Sequence, residues 1–114
     1  MKSYTDIEQS KKLAEILPLE SADMVLWAKD LKNVYADIHA QEFMKGLECR
    51  QMNYVPCWSL AALIGVLPKG TNINTPSLIN ARYCCWNNYV AIDNINLVDA
   101  CYEMIIKLHE LNLL

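Results

Sequence analysis

The chain has 114 residues, 54% hydrophobic and 20% charged, with a formal net charge of −3 at pH 7. That length and mix fit one domain able to bury a core without disulfides or metal, and they exclude global disorder. The ten basic residues are scattered, with Lys11–Lys12 the one adjacent pair, so nucleic-acid binding through a broad basic face is disfavoured.

The opening residues, MKSYTDIEQSKK, are polar and lack the apolar stretch of a secretory signal. Thr5 with Glu8 three residues on matches a capping box, so a helix is expected to start there. Ile7, Leu13, Ala14, Ile16 and Leu17 form its apolar stripe, and Pro18 disfavours helical backbone at Leu17, which predicts the stop.

Residues 23–28, DMVLWA, are a short apolar run between polar residues and read as a buried strand. The next segment reads two ways. Val34, Ala36, Ile38 and Ala40 alternate with Tyr35, Asp37, His39 and Gln41, as in a strand, whereas Leu31, Val34, Tyr35, Ile38 and Glu42 keep helical spacing. We adopt the strand, paired with 23–28 across KDLKN.

VPCWSLAALIGVLPKG, residues 55–70, is the most apolar stretch. Its uninterrupted apolar part covers about a dozen residues, and a membrane-spanning helix needs about 20. Leu60, Leu63, Ile64 and Leu67 fall on one helical face, broadened by Trp58 and Ala61. Pro56 is expected at the first helical position and Pro68 with Gly70 at the end. So apolar a helix is expected to be enclosed by other elements.

LINARYCCWNNYVAID then predicts a hairpin turning at Asn87–Asn88, because Asn tolerates the positive φ of a two-residue turn. That turn sets Trp86 opposite Tyr89, Cys85 opposite Val90, Cys84 opposite Ala91, Tyr83 opposite Ile92 and Arg82 opposite Asp93. Ile79, Ala81, Tyr83, Cys85, Val90 and Ile92 would form the core face. Arg82, Cys84, Trp86, Tyr89, Ala91 and Asp93 would form the outer one.

Asn96 is the expected cap of a last helix, with Asp99 at its third position. Leu97, Cys101, Met104, Ile105 and Leu108 form one stripe and Val98, Tyr102 and Ile106 a second, so two neighbours are expected. Asp99, Glu103, Lys107 and Glu110 face water, with Glu103 and Lys107 at the i,i+4 spacing of an ion pair. Together these elements predict an α+β fold, a single layer of antiparallel sheet with three to four strands packed against two to three helices. One domain spans residues 1–114.

The blocks YTDIEQSKKLAEILPLESADM, PCWSLAALIGVLP and NLVDACYEMIIKLHELNLL resemble small uncharacterised proteins carried by prophages and other mobile elements of gut bacteria. The likeness covers roughly half the chain, at both ends and the middle helix, and not residues 28–54 or 70–93. It implies a bacterial origin and a cytoplasmic location. It carries no activity and no site residue.

Chemistry-bearing residues are few. The five cysteines, Cys49, Cys57, Cys84, Cys85 and Cys101, form no C-x-x-C pair, and reduced thiols in a cytoplasmic chain are expected. Cys57, near a helix start, is the one nucleophile to weigh, with His39 or His109 as base. Adjacent strand positions Cys84 and Cys85 point to opposite faces and cannot easily hold one zinc ion. Among Glu42, Glu48, Asp93 and Asp99 no spacing selects an acid–base pair. With only Gly46, Gly65 and Gly70, no phosphate-binding loop exists.

No catalytic residue, cofactor or metal is assigned. The binding candidates are Arg82, Trp86 and Tyr89 on the outer face of the hairpin, residue types enriched at binding hot spots. The expected function is a non-enzymatic interaction module of a bacterial mobile element or prophage, binding an unidentified protein partner or itself. The alternative is a small ligand-binding or cysteine-dependent catalytic protein.

Overall fold

The computed structural model describes residues 3–28, 34–37, 54–74 and 83–114. In chain order the elements are α1 (Ile7–Ile16), a short 3-10 turn (Leu19–Ser21), β1 (Met24–Ala28), β2 (Val34–Asp37), β3 (Tyr54–Cys57), α2 (Leu60–Val66), β4 (Asn72–Asn74), β5 (Tyr83–Trp86), β6 (Ala91–Asn94) and α3 (Leu97–Glu110). The fold is α+β and every strand pairing is antiparallel. The described strands divide into two three-stranded sheets, ordered β2-β1-β3 and β4-β5-β6. Among the described residues no helix is long and apolar enough to cross a membrane.

Helix α1 starts one residue later than the Thr5–Glu8 pattern predicts. Asp6 is the cap: its Oδ1 accepts the Gln9 amide at 2.8 Å, and Gln9 Oε1 accepts the Asp6 amide at 3.1 Å. Both overlapping sequences satisfy the capping-box pattern, and burial decides between them. Thr5 is fully buried, with its amide donating to the Trp58 carbonyl at 3.0 Å and its hydroxyl accepting the Trp58 amide at 3.2 Å. It is occupied in holding the first residues against 58–60 and is not free to cap. The helix ends before Pro18, as expected, with Leu17 extended.

In the first sheet β1 is central, and its consecutive residues Val25 and Leu26 are both buried, so both faces are covered. The β2 segment is a strand, with Val34 opposite Ala28 and Asp37 opposite Val25. Pro56 does not start a helix. It lies in β3 opposite Val25, where an edge strand tolerates a residue without an N–H. Helix α2 is instead capped by Ser59, whose hydroxyl accepts the Ala62 amide at 3.2 Å. Asp23 supports this cap, accepting from both the amide and the hydroxyl of Ser59.

Helix α2 is not enclosed. Leu63 is fully buried, but Ile64 is 43% exposed, and Ala61 and Gly65 face water beside it. Its seven residues give one face to the core and one to solvent.

The hairpin β5–β6 forms with a register displaced by two residues: Trp86 lies opposite Ala91, Cys85 opposite Ile92, Cys84 opposite Asp93 and Tyr83 opposite Asn94. The cause is Asn87. Its Oδ1 accepts the amides of Tyr89 at 2.8 Å and Val90 at 2.9 Å, while its own amide donates to the Val90 carbonyl at 2.9 Å. That side-chain clamp closes a four-residue loop without positive φ, which among described non-glycine residues occurs only at Asn112. A two-residue displacement preserves facing, so Cys85 and Val90 are buried and Ile92 packs against the core, as the alternation predicts. Ile79, Ala81 and Arg82 lie outside the described residues. Strand β4, unforeseen, adds to β5 with Ile73 opposite Cys85.

Helix α3 lies at the centre of the core and is capped by Asn96 Oδ1, which accepts the Asp99 amide at 3.2 Å. Val98, Cys101, Met104, Ile105 and Leu108 are buried on it, against the second sheet, α2 and α1. Each large aliphatic buried there contributes roughly 1.5–3 kcal/mol. Asp99 is half-buried, because its Oδ1 accepts from Gln9 Nε2 at 2.8 Å and ties α3 to α1. The expected Glu103–Lys107 pair is replaced. Glu103 accepts from Asn94 Nδ2 at 3.1 Å, and Lys107 lies 3.8 Å from Glu110.

Candidate functional site

Of the three binding candidates two are described, and Trp86 and Tyr89 do not face each other as a cross-strand pair. Trp86 is half-buried in the row Asn72–Trp86–Ala91, on the face of the second sheet opposite Cys85. Tyr89 belongs to the Asn87 loop and is 71% exposed. Arg82 lies outside the described residues, and the strand partner of Asp93 is Cys84.

Tyr89 instead lines a pocket of about 130 Å³ built by three chain reversals. The first follows α3. Asn112 adopts φ 57, its amide donates to the His109 carbonyl at 3.0 Å, and the Leu113 amide donates to the Leu108 carbonyl at 2.8 Å. This is a Schellman cap, which brings the apolar residue after the turn back over the last helical turn. Leu113 and Leu108 accordingly form one wall.

The second reversal is Pro68–Thr71. The amide and hydroxyl of Thr71 both donate to the Pro68 carbonyl, at 3.2 and 2.8 Å, and Gly70 supplies φ 90. The third is the Asn87 loop, which carries Tyr89. Lys69 is exposed at the rim and has no ion-pair or hydrogen-bond partner among the described residues. The sequence marks this wall only weakly, through an Asn two residues after the last helical position of LHELNLL, a recurrent place for a left-handed cap.

Cys57 closes β3 and stands two residues before the helix cap, so it lies outside the first turn of the helix. Its fully buried thiol donates to the Thr5 carbonyl at 3.4 Å and lies 3.5 Å from the Thr5 hydroxyl, which bonds Ser10 at 2.8 Å. Burial pushes the thiol above its ordinary range, and the Asp23 charge adds to this against the hydrogen bonds from Thr5 and Ser10. A protonated, enclosed thiol is a poor nucleophile. His109 is exposed in the last turn of α3, and His39, Glu42, Glu48 and Cys49 lie outside the described residues.

Cys85 on β5 and Cys101 on α3 meet in the core with their sulfurs 3.9 Å apart, both fully buried. The hydrogen bond shared with Cys101 lowers the Cys85 thiol against the opposing effect of burial, and the same bond together with burial pushes Cys101 far above the ordinary range. Cys84 is half-buried on the opposite face. Among the described residues no three His, Cys, Asp or Glu side chains gather as a metal site. No protein-family model, no curated protein and no solved structure matches the chain.

Proposed function

We propose that this protein is a non-enzymatic interaction module that seats one apolar side chain of a protein partner in the pocket beside Tyr89. A carboxylate of the same partner segment pairs with Lys69. The size of the pocket carries this reading. About 130 Å³ is close to the cavity of roughly 150 Å³ that admits a benzene ring, and well below the roughly 300–1,000 Å³ of small-molecule sites. One aromatic ring or branched aliphatic group fits, and a drug-sized molecule does not. Tyr89, Leu111, Leu113 and Leu114 are all exposed, and Tyr is a residue type favoured at binding hot spots.

The cellular setting is the cytoplasm, in a bacterial mobile element or prophage. Support comes from the three resembling sequence blocks and from the unpaired thiols Cys57, Cys84, Cys85 and Cys101.

The test is selection of displayed random peptides on the immobilised full chain, followed by calorimetry. Selected peptides should carry an apolar residue next to Asp or Glu. Tyr89→Ser and Leu113→Ser should each weaken binding by about tenfold or more, roughly 1.4 kcal/mol, with the urea midpoint little changed for exposed Tyr89. Lys69→Glu should remove the preference for acidic neighbours. Peptides that bind Tyr89→Ser as well as they bind the parent refute the reading. Sedimentation that finds a dimer dissolved by Tyr89→Ser makes a second copy of the chain the occupant.

A further inference from the structure

We infer that Cys85 and Cys101 form a peroxide-oxidisable dithiol, a modification site that closes to a disulfide within the folded core and fastens β5 to α3. The proposal is independent of the pocket reading and rests on placement. The two sulfurs are 3.9 Å apart and each has the other as its hydrogen-bonding neighbour. Cys85 is flanked across the ladder by Ile73 and Ile92, and Cys101 shares its buried helix face with Val98, Met104 and Ile105, so among the described residues the surroundings are otherwise apolar. Cys57 differs, because its sulfur is engaged by Thr5, and Cys84 lies across the sheet from the pair.

Closing from 3.9 Å to a bond of about 2.05 Å asks each sulfur to move roughly 0.9 Å, a displacement that side-chain rotation can supply. Hydrogen peroxide is the oxidant class, being small enough to enter when the hairpin opens locally. The Cys85 sulfur gives up its proton and attacks one peroxide oxygen. The O–O bond breaks and hydroxide leaves, taking up a proton to become water, with Cys85 as the sulfenic acid. The Cys101 sulfur then attacks the Cys85 sulfur, the S–O bond breaks, and the departing hydroxide takes the Cys101 proton as a second water. Both thiols are oxidised, and one peroxide is reduced to two waters.

Among the described thiols half-buried Cys84 is the faster competitor, and Cys49 lies outside the described residues, so the experiment uses the full chain carrying Cys84→Ala and Cys49→Ala. The reduced protein is treated with hydrogen peroxide in native buffer, its remaining thiols are alkylated, and it is digested for mass spectrometry. The expected product is a Cys85–Cys101 linked peptide, 2 Da lighter than the pair of free thiols. The melting temperature should rise by about 10 °C, the effect of closing a loop of this length, and dithiothreitol should reverse it. Adding Cys101→Ala should abolish both changes. A link formed only in denaturant, oxidation that goes straight to sulfinic acid, or no reaction at either thiol each overturns the proposal.

Discussion

Two glycines separate backbone conformation from packing. A Cβ placed at Gly65, in α2, meets nothing within 4 Å, and the residue has no positive φ. A Cβ at Gly70 also meets nothing within 4 Å, but there φ is +90. If contacts governed the outcome, both alanine substitutions would be neutral. Conformational reasoning gives opposite signs. Gly65→Ala removes freedom from the unfolded chain and suits the helix, so it should stabilise by about 0.4–1 kcal/mol. For a domain of this size that raises the melting temperature by roughly 2–4 °C. Gly70→Ala forces a side chain into the left-handed region and should cost about 1–2 kcal/mol. Urea unfolding followed by circular dichroism measures both, and unchanged slopes would show that stability alone, and not the surface exposed on unfolding, has changed. Shifts of the same sign in the two variants would refute the reasoning.

Two further outcomes follow from polar groups that are half-buried at Asp23 and Ser59 and fully buried at Cys57. Asp23→Ala leaves the Ser59 amide and hydroxyl without their acceptor and should destabilise by about 1–3 kcal/mol in urea unfolding. Cys57 gives a pH dependence whose sign is set by burial. Its folded-state value lies above that of the unfolded chain, so its contribution is intact below about 8.5 and is lost as pH rises through the folded value. Unfolding free energy measured from pH 7 to 10 should therefore fall less steeply in Cys57→Ala than in the parent, and identical slopes would contradict the burial argument.

What could be read ahead of the structure was whatever local physics alone decides. Pro18 stops α1 and Asn96 caps α3, because each acts on backbone within one turn. The alternation of Cys85 and Ile92 onto the core face was legible for the same reason, since the apolar residues of each strand recur with the period of the pleat. Errors arose where two local solutions competed and a distant contact chose. Asp6 displaced Thr5 as cap because Thr5 is bound to Trp58. Pro56 suits a helix start and an edge strand alike, and pairing with β1 selected the strand. The Asn87 clamp displaced the Asn87–Asn88 turn, which separated Tyr89 from Trp86 and moved the candidate site to the pocket. That pocket joins residues 68–70, 87–89 and 108–113, and no sequence window contains all three.

The anchoring of the first residues orders events during synthesis. Thr5 is held by Trp58, 53 positions later, and Gln9 by Asp99, 90 positions later. At about 5–20 residues per second, the leading segment waits several seconds on the ribosome before either contact can form. Residues 5–9 are thus made well before the partners that secure them, and α1 must survive that interval on its own cap.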